Sequence, residues 1–260
     1  SIISNVSKKS LFMKLHIDKV DQNNFIGFVN RLKLIDSFIY FKIKCDQVVS
    51  SAYLPQRDAV KHNALPLGEI FVTSGETPEK ELKVAFFDAA KLIEAFKQFD
   101  YQGIHGEIEY IENVEDCVAT SFKIFNDDLE ITLSCSEPSL GYKDLTESQL
   151  QGIFNTEGSD FVFELSNVEA GKIKSLFNLD KDETFSISSS DDGVKISGKS
   201  YNKLVSTEFE GDKASVTVYK KYLSLLDKED YKAYVFGNRV VLRSTESATL
   251  LTIATCQSAD

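Results

Sequence analysis

Hydrophobic residues recur along this chain with two different periods, and the two periods together predict an α+β fold. Apolar residues three and four positions apart mark one face of a helix. This spacing occurs in the segments 21–34, 88–99, 168–179 and 219–228. Between these segments lie short runs in which apolar and polar residues alternate, which is the period of a half-buried strand. The most regular run is 129–135, where every second residue is apolar.

The order of these elements occurs twice. A strand, a helix, further strands, a short helix and a three-stranded meander begin near Leu15, and the same order begins again near Phe161. We therefore predict two similar domains, residues 1–135 and 149–260, joined by a linker at 136–148. The first domain has about 16 extra residues between its helices, and we expect them to form a polar surface loop within 57–81. Chance similarity between two unrelated α+β domains is the alternative explanation.

Composition narrows the class of protein. The chain has 260 residues, 42% of them hydrophobic, and its 19 Phe and 10 Tyr are far too many for an acidic disordered segment. No apolar run is long enough to span a membrane, and residues 1–5 do not resemble the start of a secretory signal. We expect a cytoplasmic protein, in the host cytoplasm or nucleoid if it is viral, with reduced thiols. The net charge of −11 by itself disfavours binding to nucleic acid.

The sequence contains no motif for catalysis. It has no phosphate-binding loop, no nucleophile elbow, no zinc-binding pair of cysteines and no dinucleotide fingerprint. The acidic pairs at 127–128 and 191–192 lie between strand-like runs, where Asp is typical of turns, so we interpret them as turns. We therefore expect a protein that is not an enzyme, with no catalytic residue, no metal site and no cofactor.

The predicted helices differ in charge from the rest of the chain. On a helical wheel, Lys and Arg residues lie opposite or beside the apolar face of all four segments, while the strands and loops carry most of the acidic residues. The cations are Arg31, Lys33, Lys91, Lys97, Lys172, Lys174, Lys220, Lys221 and Lys228. A lysine-rich helix face is common in solvent, but its recurrence on four helices of an acidic chain points to a shared function.

Three segments resemble the trimeric DNA polymerase sliding clamps of eukaryotes, archaea and tailed bacteriophages, the family that includes proliferating cell nuclear antigen. Residues 84–93 and 216–226 each run from a strand directly into a short basic helix. The third segment is the C-terminal pair of strands, which is similar to the final hairpin of clamps. These segments read VAFFDAAKLI (84–93), VTVYKKYLSLL (216–226), RVVLRS (239–244) and LLTIA (250–254).

The resemblance implies a ring of two repeated clamp-like domains per chain, in which two helices of each domain pack on antiparallel sheet. A homotrimer would encircle double-stranded DNA without sequence specificity, with the nine cations facing it, and would tether the replicative polymerase after a clamp loader had placed it. In such clamps, partner peptides enter an apolar pocket near the linker and the C-terminus, and Leu140, Tyr142 and Ile253 are the candidates here. The alternative is a non-enzymatic viral structural or interaction protein made of two similar α+β domains.

Overall fold

The computed structural model describes residues 11–100, 103–141 and 144–256, which form two compact units. The first unit contains 11–33, 37–50, 64–100 and 103–141. The second contains 34–36, 51–63 and 144–256, so it includes a segment from the N-terminal half of the chain. The predicted linker is divided, because its residues up to 141 belong to the first unit and those from 144 onward belong to the second.

The N-terminal half begins with a long strand and contains both helices predicted for it. In chain order its elements are β1 (Leu11–Val20), α1 (Gln22–Lys33), β2 (Ile39–Lys44), β3 (Gln47–Tyr53), β4 (Ala59–Pro66), α2 (Leu67–Ile70), β5 (Phe71–Thr73), β6 (Leu82–Phe86), α3 (Ala89–Lys97), β7 (Ile104–Glu112), β8 (Cys117–Phe125), β9 (Glu130–Ser134) and a 3-10 turn at Pro138–Leu140.

The strands of the first unit form one sheet in the order β5–β1–β7–β8–β6–β2–β3, and β9 pairs with the C-terminal part of β8. All of these pairs are antiparallel except β6 and β8, which run parallel at Leu82 and Cys117. The antiparallel sheet expected from the sequence is therefore present with a single parallel contact among the described strands.

Segment 57–81 is not the polar loop that we expected. It contains β4, α2 and β5, and β5 pairs with the end of β1 at Val20 and Phe71. Leu67, Ile70 and Phe71 are buried. The prolines and glycines of this segment suggested a loop, but here its apolar residues complete the core and outweigh the local turn propensity.

Helices α1 and α3 form because each has an apolar face and a capping aspartate. The Oδ1 atom of Asp21 accepts a hydrogen bond from the backbone N–H of Asn24, and the Oδ1 atom of Asp88 accepts from Ala90 and Lys91. The two helices touch, since the side-chain amide of Gln22 donates to the carbonyl of Phe96 at 2.8 Å.

An aromatic cluster fills the core between the helices and the sheet of the first unit. The ring of Phe25 on α1 lies 4.8 Å from that of Phe96 on α3 and 6.1 Å from that of Phe122 on β8, measured between centroids. Phe122 also contacts Phe71 and Phe86, and its side chain is fully buried. The apolar faces predicted from periodicity are therefore the buried faces.

The C-terminal half repeats this arrangement with an additional short helix at its start. Its elements are α4 (Glu147–Ile153), β10 (Phe161–Leu165), α5 (Asn167–Leu176) with a 3-10 turn at Phe177–Leu179, β11 (Thr184–Ser190), β12 (Gly193–Ser197), β13 (Asn202–Ser206), β14 (Glu210–Gly211), β15 (Ser215–Tyr219), a 3-10 segment at Lys220–Leu225, β16 (Tyr231–Val235), β17 (Arg239–Ser244) and β18 (Leu250–Ala254).

The second unit contains two antiparallel sheets. One has the order β14–β10–β16–β17–β18–β4, in which Ala59 to His62 of β4 pair with β18. The other has the order β13–β12–β11–β15. The predicted hairpin between β11 and β12 is confirmed, with Gly193 at a φ of +114°, where a Cβ atom would lie 2.2 Å from the carbonyl oxygen of Ser206.

Helix α5 begins as predicted and the last predicted helix does not form. The hydroxyl of Ser166 caps α5 by accepting from the backbone N–H of Glu169. The segment predicted as an amphipathic α-helix at 219–228 is a 3-10 segment, Lys220–Leu225, followed by an extended Leu226. Short basic stretches of this kind have no interior hydrogen-bond ladder long enough to favour the α form, so tertiary anchoring decides their shape.

Replacing Phe122 with Ala tests the aromatic core. We expect the free energy of unfolding of the first unit to fall by about 3–5 kcal/mol, because the change removes a fully buried ring and leaves a cavity between four other phenylalanines. Urea denaturation followed by tyrosine fluorescence measures this. Phe12→Ala is the matched control, since Phe12 is 80% exposed and its loss should cost less than about 0.5 kcal/mol. Equal losses in the two variants would contradict the assignment of this core.

Candidate nucleic-acid interface and docking cavity

The first unit places its predicted cations on two neighbouring helices. Lys33 lies at the end of α1, and Lys91 and Lys97 lie on α3, all three exposed. Arg31 is half-buried. Within the described residues, Lys91 and Lys97 form no ion pair, so their full charge faces solvent. The buried side of α3 holds Leu92, Ile93 and Phe96, so the wheel assigned its two faces correctly.

The second unit also brings its two basic segments together, but its cations are less free. Lys172 is exposed and its Nζ atom lies 3.4 Å from Oε1 of Glu169. Lys174 is half-buried; burial lowers the pKa of its ammonium, the carboxylate of Asp227 opposes this shift, and the charge of Lys228 adds to it. The Nζ atom of Lys220 in the 3-10 segment donates to the carbonyl of Phe177 at the end of α5, so the two basic segments are neighbours.

Lys220 does not have the exposed position that the helical wheel assigned to it. Its Nζ atom donates to Oδ1 of Asp180 at 2.5 Å and to the carbonyl of Phe177 at 3.0 Å, and its side chain is 12% exposed. The prediction of an exposed Lys220 is therefore wrong, and the physical reason is the 3-10 geometry. At three residues per turn, Lys220 lies on the same side as the buried Leu223.

Lys221 and Lys228 are exposed, as expected. The ammonium of Lys221 lies over the rings of Tyr219 and Tyr222, at 5.3 and 5.1 Å from their centroids. Such contacts restrict a lysine side chain without neutralising its charge. Lys221 is therefore the best-positioned free cation of the 3-10 segment.

Two side chains from the segment 58–61 anchor the 3-10 segment. The hydroxyl of Tyr222 donates to Oδ2 of Asp58, and burial together with this carboxylate raises the pKa of Tyr222. The ammonium of Lys61 is fully buried, donates to the carbonyl of Leu225 at 3.1 Å and lies 3.0 Å from Oδ2 of Asp227. A buried lysine without these partners would be strongly unfavourable, so this pair ties the 3-10 segment to β4.

A cavity of about 520 Å³ opens on the second unit, between helix α4, the turn that joins β3 to β4, the start of β17 and the C-terminal end of β18. Its apolar lining comes from Tyr53, Val60, Ile153 and Ala254. Gly152 lies at its wall, and a Cβ atom there would meet no atom within 4 Å. This volume falls in the range of pockets that hold small ligands or a few side chains of a peptide.

The three residues predicted for the partner pocket differ in their exposure and position. Ile253 is only 2% exposed, so its side chain is not available to a partner; its neighbours Thr252 and Ala254, on the opposite face of β18, line the cavity instead. Leu140 belongs to the first unit and is 77% exposed on the 3-10 turn at Pro138–Leu140. Tyr142 lies outside the described residues.

Helix α4 was missed by the sequence prediction although its start carries a recognisable signal. Thr146 and Gln149 form a capping box, in which the Thr146 hydroxyl accepts from the Gln149 N–H and the Gln149 side chain accepts from the Thr146 N–H. A Thr followed three residues later by Gln would have indicated a helix start within the predicted linker. The arginines at the cavity, Arg57 and Arg239, were missed too, because they lie outside the four basic segments.

In the part of the chain that the structure describes, no three His, Cys, Asp or Glu side chains come together as metal ligands. No helix in this part has the length and apolar character needed to cross a membrane. A second cavity of about 540 Å³ on the second unit has Glu164, Glu169 and Asp230 in its wall, a charge that repels phosphate.

Replacing Lys220 with Met tests the internal ion pair. Lys220 is the main cause that lowers the pKa of the Asp180 carboxyl, with backbone N–H groups of residues 199 and 200 assisting. The pair therefore stabilises the fold at pH values above the ordinary pKa of Asp. This stabilisation is lost as the pH falls through the lowered pKa of Asp180. In Lys220→Met, Asp180 should titrate at a higher pH in an NMR carboxyl titration. Lys221→Met should leave it unchanged; if it produced the same shift, Lys220 would not be the partner.

The chain is similar to known proteins in its structure. No family model and no curated protein matches its sequence. The structure is similar to proliferating cell nuclear antigen from Entamoeba histolytica, with a TM-score of 0.66, 14% identity, and coverage of 96% of this chain and 100% of that one.

Two archaeal structures match equally well. The PCNA2–PCNA3 complex from Sulfolobus tokodaii gives a TM-score of 0.65 at 14% identity, with 94% of this chain and 99% of that chain covered. A. fulgidus PCNA bound to the C-terminal region of FEN-1 gives a TM-score of 0.66 at 13% identity, with 95% of this chain and 100% of that chain covered. At this identity the likeness defines the architecture alone, and the expectation of a clamp-like α+β fold is confirmed: the chain has the fold of proliferating cell nuclear antigen over nearly its whole length.

Proposed function

We propose that this protein is a DNA sliding clamp, in which three copies form a closed ring around double-stranded DNA and tether a replicative polymerase. A clamp loader would place the ring on DNA, as the sequence resemblance implies. The observation that carries the proposal is the match of the fold to clamps over nearly the full chain, combined with exposed lysines on α1 and α3 of the first unit and on α5 and the 3-10 segment of the second. No catalytic role is needed, because the function is a topological link.

The distribution of charge supports an encircling mode. The chain carries a net charge of −11, yet Lys33, Lys91, Lys97 and Lys221 are exposed on the helical segments. Contacts between lysines and phosphates carry no sequence information and weaken with salt, with a log–log slope of about −0.9 per phosphate neutralised. An acidic outer surface would repel DNA and leave the helix-lined side as the favourable place for it.

Not all nine predicted cations contribute equally to this proposal. Lys33, Lys91, Lys97, Lys221 and Lys228 are exposed, whereas Lys172 shares its charge with Glu169 and Arg31 and Lys174 are half-buried. Lys220 is neutralised by Asp180, so we assign it a structural role in shaping the 3-10 segment. The exposed lysines of α3 and Lys221 are the strongest candidates for phosphate contacts.

Unpaired strand edges support assembly into a ring. In the second unit β18, the last strand of its meander, pairs with β4. The equivalent strands of the repeat are β9, which pairs only with β8 among the described strands, and β13, which pairs only with β12. Pairing of β9 in one copy with β13 in the next would repeat the β18–β4 geometry and cover both edges. Head-to-tail contacts form a ring when the rotation between copies closes, and the six domains that the resemblance to clamps implies correspond to three chains.

The cavity beside α4 is the proposed docking site for partner proteins such as the polymerase and the loader. In the A. fulgidus structure, PCNA is bound to the C-terminal region of FEN-1, so a protein of this fold binds the terminal region of a partner. The cavity here is apolar and of suitable volume for such a segment. As a replication factor the protein would act where DNA lies, in the cytoplasm or nucleoid of a bacterial host if its source is a bacteriophage.

Reversing the charge of the α3 lysines tests the encircling mode. The double variant Lys91→Glu, Lys97→Glu should remain folded, since both side chains are exposed, and should lose roughly tenfold in retention on nicked circular plasmid. Retention is measured by gel filtration with a crowding polymer present to favour ring closure. Cutting the plasmid once should release the wild-type protein, because a ring slides off a free end.

Lys199→Glu is the control for the same change of charge, since Lys199 is exposed in the turn between β12 and β13. It should retain the wild-type behaviour. Equal binding of the wild-type protein to cut and uncut plasmid would refute encirclement, and unchanged retention of the double variant would remove the role assigned to α3.

Ring assembly is tested at the exposed Leu204 of β13. We expect light scattering to give three times the mass of one chain for the wild type, and a shift toward the single chain for Leu204→Glu, because a charge would be buried at the new strand pair. The control is Leu179→Glu, at a leucine that is also exposed but lies on the turn after α5. A wild-type protein that stays a single chain at tens of micromolar would count against the ring.

A further inference from the structure

The docking cavity has a charge opposite to that of the protein as a whole. Two of the four arginines in the sequence, Arg57 and Arg239, line it. They come from parts of the chain that are far apart in sequence, the turn between β3 and β4 and the start of β17. The second unit thus brings two guanidinium groups to one apolar cavity in a protein of net charge −11.

Arg57 is positioned by its backbone and by an aromatic ring. It lies in the left-handed region, with a φ of 58°, at the turn where its N–H donates to the carbonyl of Leu54 at 2.7 Å. Its guanidinium lies 5.4 Å from the centroid of the Tyr53 ring, which also lines the cavity. Within the described residues Arg57 forms no ion pair, and its side chain is exposed.

Arg239 is held more rigidly. Its guanidinium stacks 3.9 Å above the ring of Phe236, Nη2 donates to the carbonyl of Asn155 at 3.2 Å, and Nη1 donates to Oδ1 of Asn238 at 3.3 Å. Its Nε atom is buried and meets no acceptor in the part of the chain that the structure describes. Arg239 therefore has neutral partners only, and its charge is not compensated by a carboxylate there.

The remaining charged group in the cavity wall is Asp58, and it is already engaged. Its Oδ2 atom accepts the hydroxyl proton of Tyr222. The cavity thus presents two guanidinium groups against one carboxylate that has a hydrogen-bond donor of its own. Guanidinium groups recognise carboxylates through charge-assisted hydrogen bonds. The guanidinium of Arg57 is exposed, and each Nη atom of Arg239 keeps a second N–H beyond the one that it donates to Asn155 or Asn238.

We propose that this cavity selects partner segments that carry an acidic side chain, Asp or Glu, next to the apolar residue that enters it, and that Arg57 and Arg239 bind that carboxylate. The inference deepens the proposed function and rests on it, since it assumes that the cavity is a peptide-docking site. The occupant is a short segment of a partner protein with a mixed apolar and acidic character. The arginines supply specificity, and the apolar wall supplies most of the contact area.

Selection from a random peptide library displayed on phage tests the proposal with the full-length protein as bait. Peptides retained by the wild type should be enriched in Asp and Glu beside aromatic or aliphatic residues. The variant Arg57→Gln, Arg239→Gln should retain apolar peptides without the acidic enrichment. Arg243→Gln is the matched control, because Arg243 is exposed on the same strand as Arg239 but does not line the cavity.

Gly152→Trp identifies peptides that enter the cavity. Gly152 lies at the cavity wall and a Cβ there meets no atom within 4 Å, so a side chain can start at this position, and we expect the indole to obstruct the cavity. Peptides that bind wild type and lose binding to Gly152→Trp occupy the cavity. If such peptides show no acidic preference, the proposal is overturned while peptide docking stands. If no peptide depends on the cavity, peptide docking at this site is overturned as well.

A selected peptide then allows a quantitative test by fluorescence polarisation. Replacing its acidic residue with Asn or Gln should weaken binding to the wild type roughly three- to tenfold, and should have no further effect on the arginine variant. The difference should shrink at high salt. If amidation of the C-terminus abolishes binding instead, the arginines bind a terminal carboxylate and the assignment to a side chain is wrong.

Discussion

Burial of the apolar helix faces against the sheets is the constraint on which the rest of this structure depends. In the first unit, Phe25 and Phe96 turn inward to meet Phe122 on β8, which forces the lysines of α3 outward. In the second unit, Ile173 of α5 is fully buried in the same way. The core therefore decides which charges are exposed, and the proposed contact with DNA uses what the core leaves free.

The same constraint changes the meaning of the net charge. A value of −11 disfavours nucleic acid only if charge is spread evenly over the surface. Here the exposed lysines of α3 and the 3-10 segment lie on elements whose opposite sides are buried, while acidic residues dominate elsewhere. The cavity beside α4 is another local exception, since Arg57 and Arg239 line it. The proposed function therefore depends on the local distribution of charge, which the total does not show.

Much of the fold was predictable because periodicity reports burial directly. Helices α1, α3 and α5, the meander β7–β8–β9 and the hairpin at Gly193 lie where the pattern placed them. The failures have a common cause. Residues 59–73 and the segment Lys220–Leu225 are short, and distant partners determine their conformation: Phe71 joins the aromatic core, and Tyr222 bonds to Asp58. A local pattern cannot report a contact between residues that lie far apart in sequence.

The sequence by itself determined the class of fold, the repeat and the basic character of the helical segments, since these depend on local spacing and composition. Tertiary structure alone decided which cations are free. Lys220 and Lys221 are adjacent and chemically identical, yet a 3-10 turn directs Lys220 onto Asp180 and leaves Lys221 in solvent. It also assembled the cavity beside α4 from that helix, β18 and a turn of the N-terminal half. These segments meet because strands that are distant in sequence pair with one another, and the spacing of residues along the chain does not encode this pairing.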